Sequence, residues 1–392
     1  MQRIVFINSH PIQYFVPLYQ QITRSKAESI ELTVLYLTDE TVAGYHDQQF
    51  GSRVQWDIPM MEGYRYKFLK NYSWKPSLYN GFFGLINWGL IGELRRMPKS
   101  IIISHGWSYA SNLIAVIAGK VFGHTVCIRG DNPHSHEQFK NSFKRFISRL
   151  FLRLILFKFV DKLLPVGRQN RKLYRSLGIS DSSMIFVPHA VDNARFQKQY
   201  LDSSGEDTAI RESLGLSGKQ IILYVGKLIN KKRPLDLLSA YKQVLITHPN
   251  SALLFVGDGI LRAQLEEEIS TNEFHDVHIT GFVNQSQIAQ YYTIANVFVM
   301  CSQQEETWGL SVNEAMNFAL PIVASDLTGC ADDLVESGVN GYVFPTGDVA
   351  SLSEAITHCL DGRVNGQASL DRIHSYSYEA MIQGLKAIPF IS

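Results

Sequence analysis

Cysteine is scarce in this 392-residue chain: Cys127, Cys301, Cys330 and Cys359 stand far apart, with no Cys-x-x-Cys pair. That argues against a disulfide framework and a structural zinc site, and it fits a reducing, cytoplasmic setting. Long apolar runs are also missing. The most apolar segment, 150–160, is eleven residues long and carries Arg153 and Lys158, so it is too short and too charged to span a bilayer. The opening MQRIVFINSHPIQYF has no basic start, extended apolar stretch or small-residue cleavage site, and so does not read as a signal peptide. No Gly-x-Gly-x-x-Gly follows the Val-Gly-Asp-Gly at 256–259, which sets a nicotinamide dehydrogenase aside. No Asp-x-Asp appears at a strand end, so no metal-held phosphate is expected.

Net charge is nearly absent too, with 37 Lys plus Arg against 36 Asp plus Glu, a formal +1. The sum conceals segregation. Between Gln138 and Arg175 eleven basic residues face one acid, Asp161; between Gly259 and Gly338 Arg262 alone faces twelve acids. Two opposed charged surfaces are the expectation. With 45% hydrophobic and 19% charged residues the chain is globular, not disordered, and long enough for two or three domains.

Short runs of Ile, Val, Leu and Phe alternate with amphipathic stretches. Strands are expected at Ile4–Ile7, Leu32–Leu37, Ile101–Ile103, Thr125–Arg129, Lys162–Val166 and Ile185–Val187, then at Ile221–Val225, Leu253–Val256, His278–Thr280, Val297–Met300, Pro321–Ala324 and Gly341–Phe344. Runs without alternation suit strands buried on both faces of a parallel sheet. Helical patterns between them include Pro234–Thr247, Ile260–Ser270 and Gly309–Phe318, so the class is α/β and doubly wound. The polar stretch 197–220 breaks the alternation, giving domains at 1–195 and 196–374, with 375–392 as a terminal helix. In doubly wound domains ligands bind at the carboxyl ends of the strands, which places the site in a cleft.

The stretch 303–326, QQEETWGLSVNEAMNFALPIVASD, carries most of the chemistry. Glu306 precedes Thr307, Trp308, Gly309 and Leu310 at the opening of a helix, and Glu314 follows eight residues later. A carboxylate there can accept two adjacent hydroxyls, and Gly309 lets a ligand approach backbone N–H groups. The plain alternative is a helix cap and a solvated helix face. Lys227 and Lys232 flank a tight loop after the strand Ile221–Val225, where two ammonium groups can converge on a diphosphate; Lys231 and Arg233 read as solvated.

This stretch resembles the Glu-x7-Glu signature of retaining, nucleotide-sugar-dependent glycosyltransferases of family 4. YVGKLINKKRPLDLLSAY, LLFVGDGILRAQLEEEI, HITGFVNQSQIAQYYTIANVFVMCS, ASDLTGCADDLVESGVNGYVF and IFVPHAVDNARF resemble further family segments in the family's order. The resemblance implies a GT-B fold, two doubly wound Rossmann-like domains facing across a cleft, with the terminal helix 375–392 crossing back to the N-terminal domain. It implies that Lys227 and Lys232 hold the donor diphosphate and that Glu306 contacts the donor sugar. Glu314 would take the ribose, and Gly281, Phe282 and Val283 the base. It also implies retention through front-face attack and no cofactor.

The N-terminal half departs from the pattern. The family's Gly-Gly pair in the first strand–helix loop is replaced by Asn8, Ser9, His10 and Pro11. Ser9 and His10, with Arg129 and Asp131 in IRGDNPHSH, become acceptor candidates. His105 resembles the family histidine that reaches the donor sugar; His134 and His136 lack a ligand set for a metal. Phe143, Phe146, Ile147, Leu150, Phe151, Leu154 and Phe157 recur at helical spacing among Lys140, Lys144, Arg145, Arg149 and Arg153. That pattern suits either a helix on an anionic membrane, over 140–158, or one packed on its own domain. The expectation is an enzyme, a glycosyltransferase that takes a nucleotide diphosphate-sugar and a glycan or lipid-linked acceptor, as in cell-surface polysaccharide or glycolipid biosynthesis. It is expected in the cytoplasm or peripheral at the inner face of the membrane, without nucleic acid. A silent GT-B scaffold or activator subunit, a sugar-nucleotide epimerase and a glycan phosphorylase are the alternatives.

Overall fold

The computed structural model describes residues 1–25, 29–42, 44–47, 52–54, 56–202 and 207–390. In chain order the strands are β1 (Gln2–Asn8), β2 (Ile30–Tyr36), β3 (Tyr45–Asp47), β4 (Ser52–Val54), β5 (Tyr66–Phe68), β6 (Ile101–His105), β7 (Thr125–Arg129) and β8 (Lys162–Leu163). They continue as β9 (Gln220–Val225), β10 (Ser251–Val256), β11 (Val277–Ile279), β12 (Val297–Met300), β13 (Ile322–Ser325) and β14 (Gly341–Phe344). One six-stranded sheet runs β5-β2-β1-β6-β7-β8 and the other β11-β10-β9-β12-β13-β14; β3 and β4 form a separate pair. Every pairing within the six-stranded sheets is parallel.

Each large sheet has the doubly wound order, in which sequence runs outward one way and then reverses from the centre. The reversals fall between β1 and β6 and between β9 and β12. The central strands have no solvent face, which explains their unbroken apolar runs: every residue of β10, β12 and β13 is buried. In the second sheet Ile222, Phe255, Val299 and Val323 share a core with Leu237, Tyr241 and Val244 of the helix Pro234–Thr247. Pro at its first position costs that helix no hydrogen bond.

Several expectations shift. Ile185–Val187 is not a strand. Its chain is extended and Ile185 and Val187 donate to Leu163 and Pro165 (3.0 and 3.1 Å), but only Met184 forms a bridge, to Leu163. Part of the polar stretch after residue 197 is helical, in Asn193–Asp202 and Asp207–Ser213. The chain divides into two compact units, Met1–Tyr45 with Pro59–His189 and Tyr378–Ser392, and His46–Ile58 with Ala190–Ser377. The boundary thus lies six residues before the expected one, and a short arm from the first half joins the second unit. The helix Tyr378–Lys386 belongs to the first unit, where the Tyr378 hydroxyl donates to the Tyr14 carbonyl at 2.8 Å.

Asn87 locks the carboxyl end of the first sheet. It is fully buried and aims its side-chain amide at the carbonyls of Leu37, Leu69 and Lys70 (2.9, 2.9 and 3.0 Å). It also accepts from Ser111 Oγ at 2.8 Å. Asn87→Ala leaves these carbonyls without that donor and is expected to cost about 3 kcal/mol or more, at 1–3 kcal/mol for each buried group orphaned. The check is the urea midpoint of the first unit; a loss below about 1 kcal/mol would show that water replaces the amide.

Candidate functional site

In the second unit the loops after β9 and β12 part at the sheet's reversal, and the expected donor residues sit on them. Lys232 lies in a short 3-10 turn, Asn230–Lys232, that docks on the other loop through its backbone: Gln303 N donates to Lys231 O at 2.8 Å. Arg233 follows with φ +50° and is not solvated as expected; it donates to Asp236 (2.6 Å) and Gln303 (3.1 Å). This clamp brings Lys232 Nζ into an ion pair with Glu306 Oε2, with only 14% and 13% of the two side chains exposed. Lys227 stands on the same loop, its carbonyl accepting from the Tyr224 hydroxyl at 2.8 Å.

The backbone around Glu306 is held under strain. Glu305 takes φ +80°, which a non-glycine residue seldom adopts outside over-determined sites. Gly309 has φ +104°, and a Cβ there would lie 2.7 Å from Met300 Sδ. Gly329 lies against this segment, donating to Glu306 O at 3.1 Å; its Cβ would fall 1.9 Å from Thr307 O, so only glycine fits. Trp308 is 3% exposed and its indole donates to Asn313 Oδ1 at 2.8 Å, so it braces the segment from within. Leu310 begins the helix Leu310–Met316.

Glu314 is not on a solvated face. It is 2% exposed and accepts from Tyr292 Oη at 2.7 Å and Gln285 Nε2 at 3.3 Å. Arg195 holds the other end of Gln285 at 2.7 Å. Gln285 lies two residues after the segment Gly281, Phe282 and Val283, which brings the expected base-contacting turn close in the chain to the partner of Glu314. Gly281 turns with φ +77°, and the Phe282 ring lies 6.1 Å from Trp56 of the arm.

The first unit gathers a different set at its own reversal. His105 ends β6 with its ring 4.7 Å from Phe15 and 5.5 Å from Phe6, and its Nε2 is buried without a hydrogen-bond partner. Burial first, then the Arg129 charge, holds it neutral well below the usual histidine range. Ser9 Oγ and His10 Nδ1 are 2.9 Å apart in the loop after β1, and burial pushes His10 down to about 4. Arg129, an acceptor candidate, is buried and turns its donors on the protein itself. It is 3% exposed, and it donates to the carbonyls of Val187 (3.3 Å) and Pro188 (2.7 Å) and to His189 Nδ1 (3.3 Å). Because a guanidinium can only donate, His189 must carry its proton on Nε2, which faces Asp131 Oδ2 at 3.7 Å. Among the described residues no group of three or more His, Cys, Asp and Glu could hold a metal.

Sequence reasoning did not assign Gln285, Tyr292, Arg195, Gly329 or His189. Arg195 and His189 lie in IFVPHAVDNARF, so the segment was visible while the roles were not.

Residues 206–379 match the family described as Glycosyl transferases group 1. Spore coat protein SA of Bacillus subtilis (strain 168) is 34% identical over 141 residues, 34% of this chain and 37% of that protein. The Arabidopsis thaliana sulfoquinovosyl transferase SQD2 is 30% identical over 224 residues, 56% of this chain and 42% of that protein. The matched stretch thus spans about two fifths of these two relatives. The Staphylococcus aureus capsular polysaccharide biosynthesis glycosyltransferase CapM is 24% identical over 287 residues, 69% of this chain and 73% of that protein. Anabaena Alr3699/HepE in complex with UDP superposes with a TM-score of 0.73 at 17% identity, covering 98% of both chains. The Thermosynechococcus elongatus sucrose-phosphate synthase superposes at 0.67 and 18% identity, again over 98% of both. The fold is therefore GT-B, with two Rossmann-like units in one chain.

Burial holds His189 at about 4 against 6.5 when unfolded. The group is neutral in both states above pH 6.5. As pH falls toward 4 only the unfolded chain gains the proton, which removes on the order of 3 kcal/mol of stability. His189→Asn is expected to flatten the fall of melting temperature between pH 6.5 and 4, read by calorimetry. Superimposable pH profiles would refute a neutral buried His189.

Proposed function

We propose that the chain is a retaining, family 4 glycosyltransferase that moves a sugar from a nucleotide diphosphate to a hydroxyl of a cell-surface polysaccharide or glycolipid precursor. The observation that carries this reading is the Lys232–Glu306 pair at the reversal of the second sheet, inside the stretch that matches the glycosyl transferases. A glycosidic bond to diphosphate breaks as negative charge builds on the departing phosphate. A nearly dry ammonium at Lys232, with Lys227 beside it on the same loop, offsets that charge without a metal. Glu306 accepts from hydroxyls of the donor sugar. Glu314, Gln285 and the Gly281–Val283 turn receive the nucleoside. His105, held neutral, offers its unpartnered Nε2 to a sugar hydroxyl rather than to phosphate. Front-face attack, with the leaving phosphate taking the acceptor's proton, gives retention and needs no protein base. UDP-sugars are the first donors to try, because HepE is known with UDP.

Peripheral membrane contact belongs to the same proposal. On the helix Ser142–Leu154 the apolar stripe faces outward, with Phe143 72%, Phe146 61% and Leu154 47% exposed. Lys140, Lys144, Arg153 and Lys158 are exposed around it, the arrangement of a helix that lies on an anionic surface. Among the described residues no helix is long and apolar enough to cross a membrane.

Glu306→Gln keeps the shape of the side chain and is expected to lower kcat by about 100-fold or more. Full activity of that variant would overturn the donor-site assignment. A panel of nucleotide-sugars, read by thermal stabilisation, identifies the donor without knowledge of the acceptor. Separately, Phe143→Ser with Phe146→Ser is expected to abolish sedimentation with vesicles containing phosphatidylglycerol; if the unaltered protein does not sediment with them at low salt, the membrane proposal fails.

A further inference from the structure

The helix Ser142–Leu154 packs on its domain through Leu152 and Phe151, but Phe143, Phe146, Ile147, Leu150 and Leu154 are exposed, while Arg145 and Arg149, one turn apart, are half-buried. They line a cavity of about 330 Å3 together with His134, Ser135, Glu137 and Gln138. The cavity lies just beyond the carboxyl end of β7, on the segment that also carries Arg129 and Asp131. Asn141 fixes the start of the helix by accepting from Phe143 N and Lys144 N at 3.0 and 3.3 Å.

The charges in this cavity do not cancel. Arg145 donates to the Glu137 carbonyl at 3.1 Å, and Arg149 to the carbonyl and hydroxyl of Ser176 at 2.5 and 3.2 Å. Among the described residues neither guanidinium meets a carboxylate. The one carboxylate in the lining, Glu137, is already paired with Lys140 Nζ at 2.5 Å. His134 adds a buried Nδ1 without a hydrogen-bond partner. Half-buried guanidinium groups held only by neutral oxygens retain free donors, and the planar fork of a guanidinium suits an oxyanion.

We propose that this cavity binds a phosphate group of the acceptor substrate, Arg145 and Arg149 donating to its oxygens. This rests on the glycosyltransferase reading and names the acceptor class: a phosphorylated glycan precursor. The outward stripe of the same helix is apolar, which suits a phosphate borne by a lipid whose chain remains in the bilayer. A soluble glycan phosphate carries the same oxyanion, and the experiment separates the two.

The probe is inorganic pyrophosphate, titrated into the full chain with UDP present to occupy the donor site and followed by 31P NMR. Arg145→Gln with Arg149→Gln is expected to weaken this second binding event by about tenfold or more, the scale for losing two charge-assisted hydrogen bonds. Arg145→Lys with Arg149→Lys keeps the charge and is expected to retain most of it, which guards against a merely misfolded variant. The lipid arm uses phosphatidylcholine vesicles with and without phosphatidic acid. Binding that needs phosphatidic acid, and is lost in the Gln pair, supports a lipid phosphate; pyrophosphate binding without vesicle discrimination supports a soluble one. If pyrophosphate binding is equal in the unaltered protein and the Gln pair, or is absent from both, the phosphate site is overturned. Stabilisation by UDP, GDP, ADP, CDP and dTDP is measured on the same samples: stabilisation by any one of them leaves the donor reading standing when the cavity proposal fails, and its absence with all of them defeats that reading on its own.

Discussion

The reversal of strand order within each sheet is the constraint on which the rest depends. Where β9 neighbours β12, and β1 neighbours β6, the chain leaves adjacent strands toward opposite faces, so the loops at their carboxyl ends diverge. A packed parallel sheet cannot close that gap, because every central strand is already covered on both faces. In the second unit the gap is bridged by an ion pair, Lys232 with Glu306, rather than by apolar packing. Taking two charges from water is costly unless the surroundings hold them in place. The Gln303 clamp, the strained turn at Glu305 and the close approach of Gly329 provide that hold.

The two units meet opposite electrostatic demands with the same topology. The second unit sets an ion pair, Lys232 with Glu306, in a nearly dry setting. The first unit keeps its imidazoles neutral: His105, His10 and His189 are all held below their ordinary range, chiefly by burial. Arg129 reinforces this at His105 and His189 while spending its own donors on the backbone at 187–188. A neutral imidazole can both donate to and accept from a sugar hydroxyl, which an imidazolium cannot. Division of labour between charged and neutral groups thus follows from what each sheet buries beside its reversal.

Much of the fold was legible because buried parallel strands write themselves as short apolar runs; the helix Pro234–Thr247 was marked at its start by proline. Ile185–Val187 misled because it has the composition of a strand and donates to one, yet lacks a continuous ladder. The arm at 46–58 could not be foreseen, since its partners, Phe282 and Ser286, lie more than 200 residues away. For the site, Glu306 and Lys232 were readable as a pair of opposite roles, but not as partners. The alternative of a solvated face fails at Glu314 because helical position reveals a face, not what covers it; Tyr292 and Gln285 do so here.

The near-zero net charge also changes meaning. Two opposed surfaces were expected, but neither excess is simply a surface. Among the acids of 259–338, Glu314 and Asp333 are buried, and Asp333 accepts from the Tyr376 hydroxyl at 2.7 Å. Glu306 is committed to Lys232, and Glu266 to Arg262. In the basic stretch Arg171 and Arg175 share Asp181, while Arg145 and Arg149 turn inward. A helix that half-buries Arg145 and Arg149 while Phe143 and Phe146 stay exposed departs from the ordinary rule for a surface helix. Such an arrangement raises the energy of the chain in plain water, since apolar area stays exposed and guanidinium groups lose hydration. It is relieved where an apolar surface covers the outside and an oxyanion fills the inside, the two roles given above to a membrane and to an acceptor phosphate.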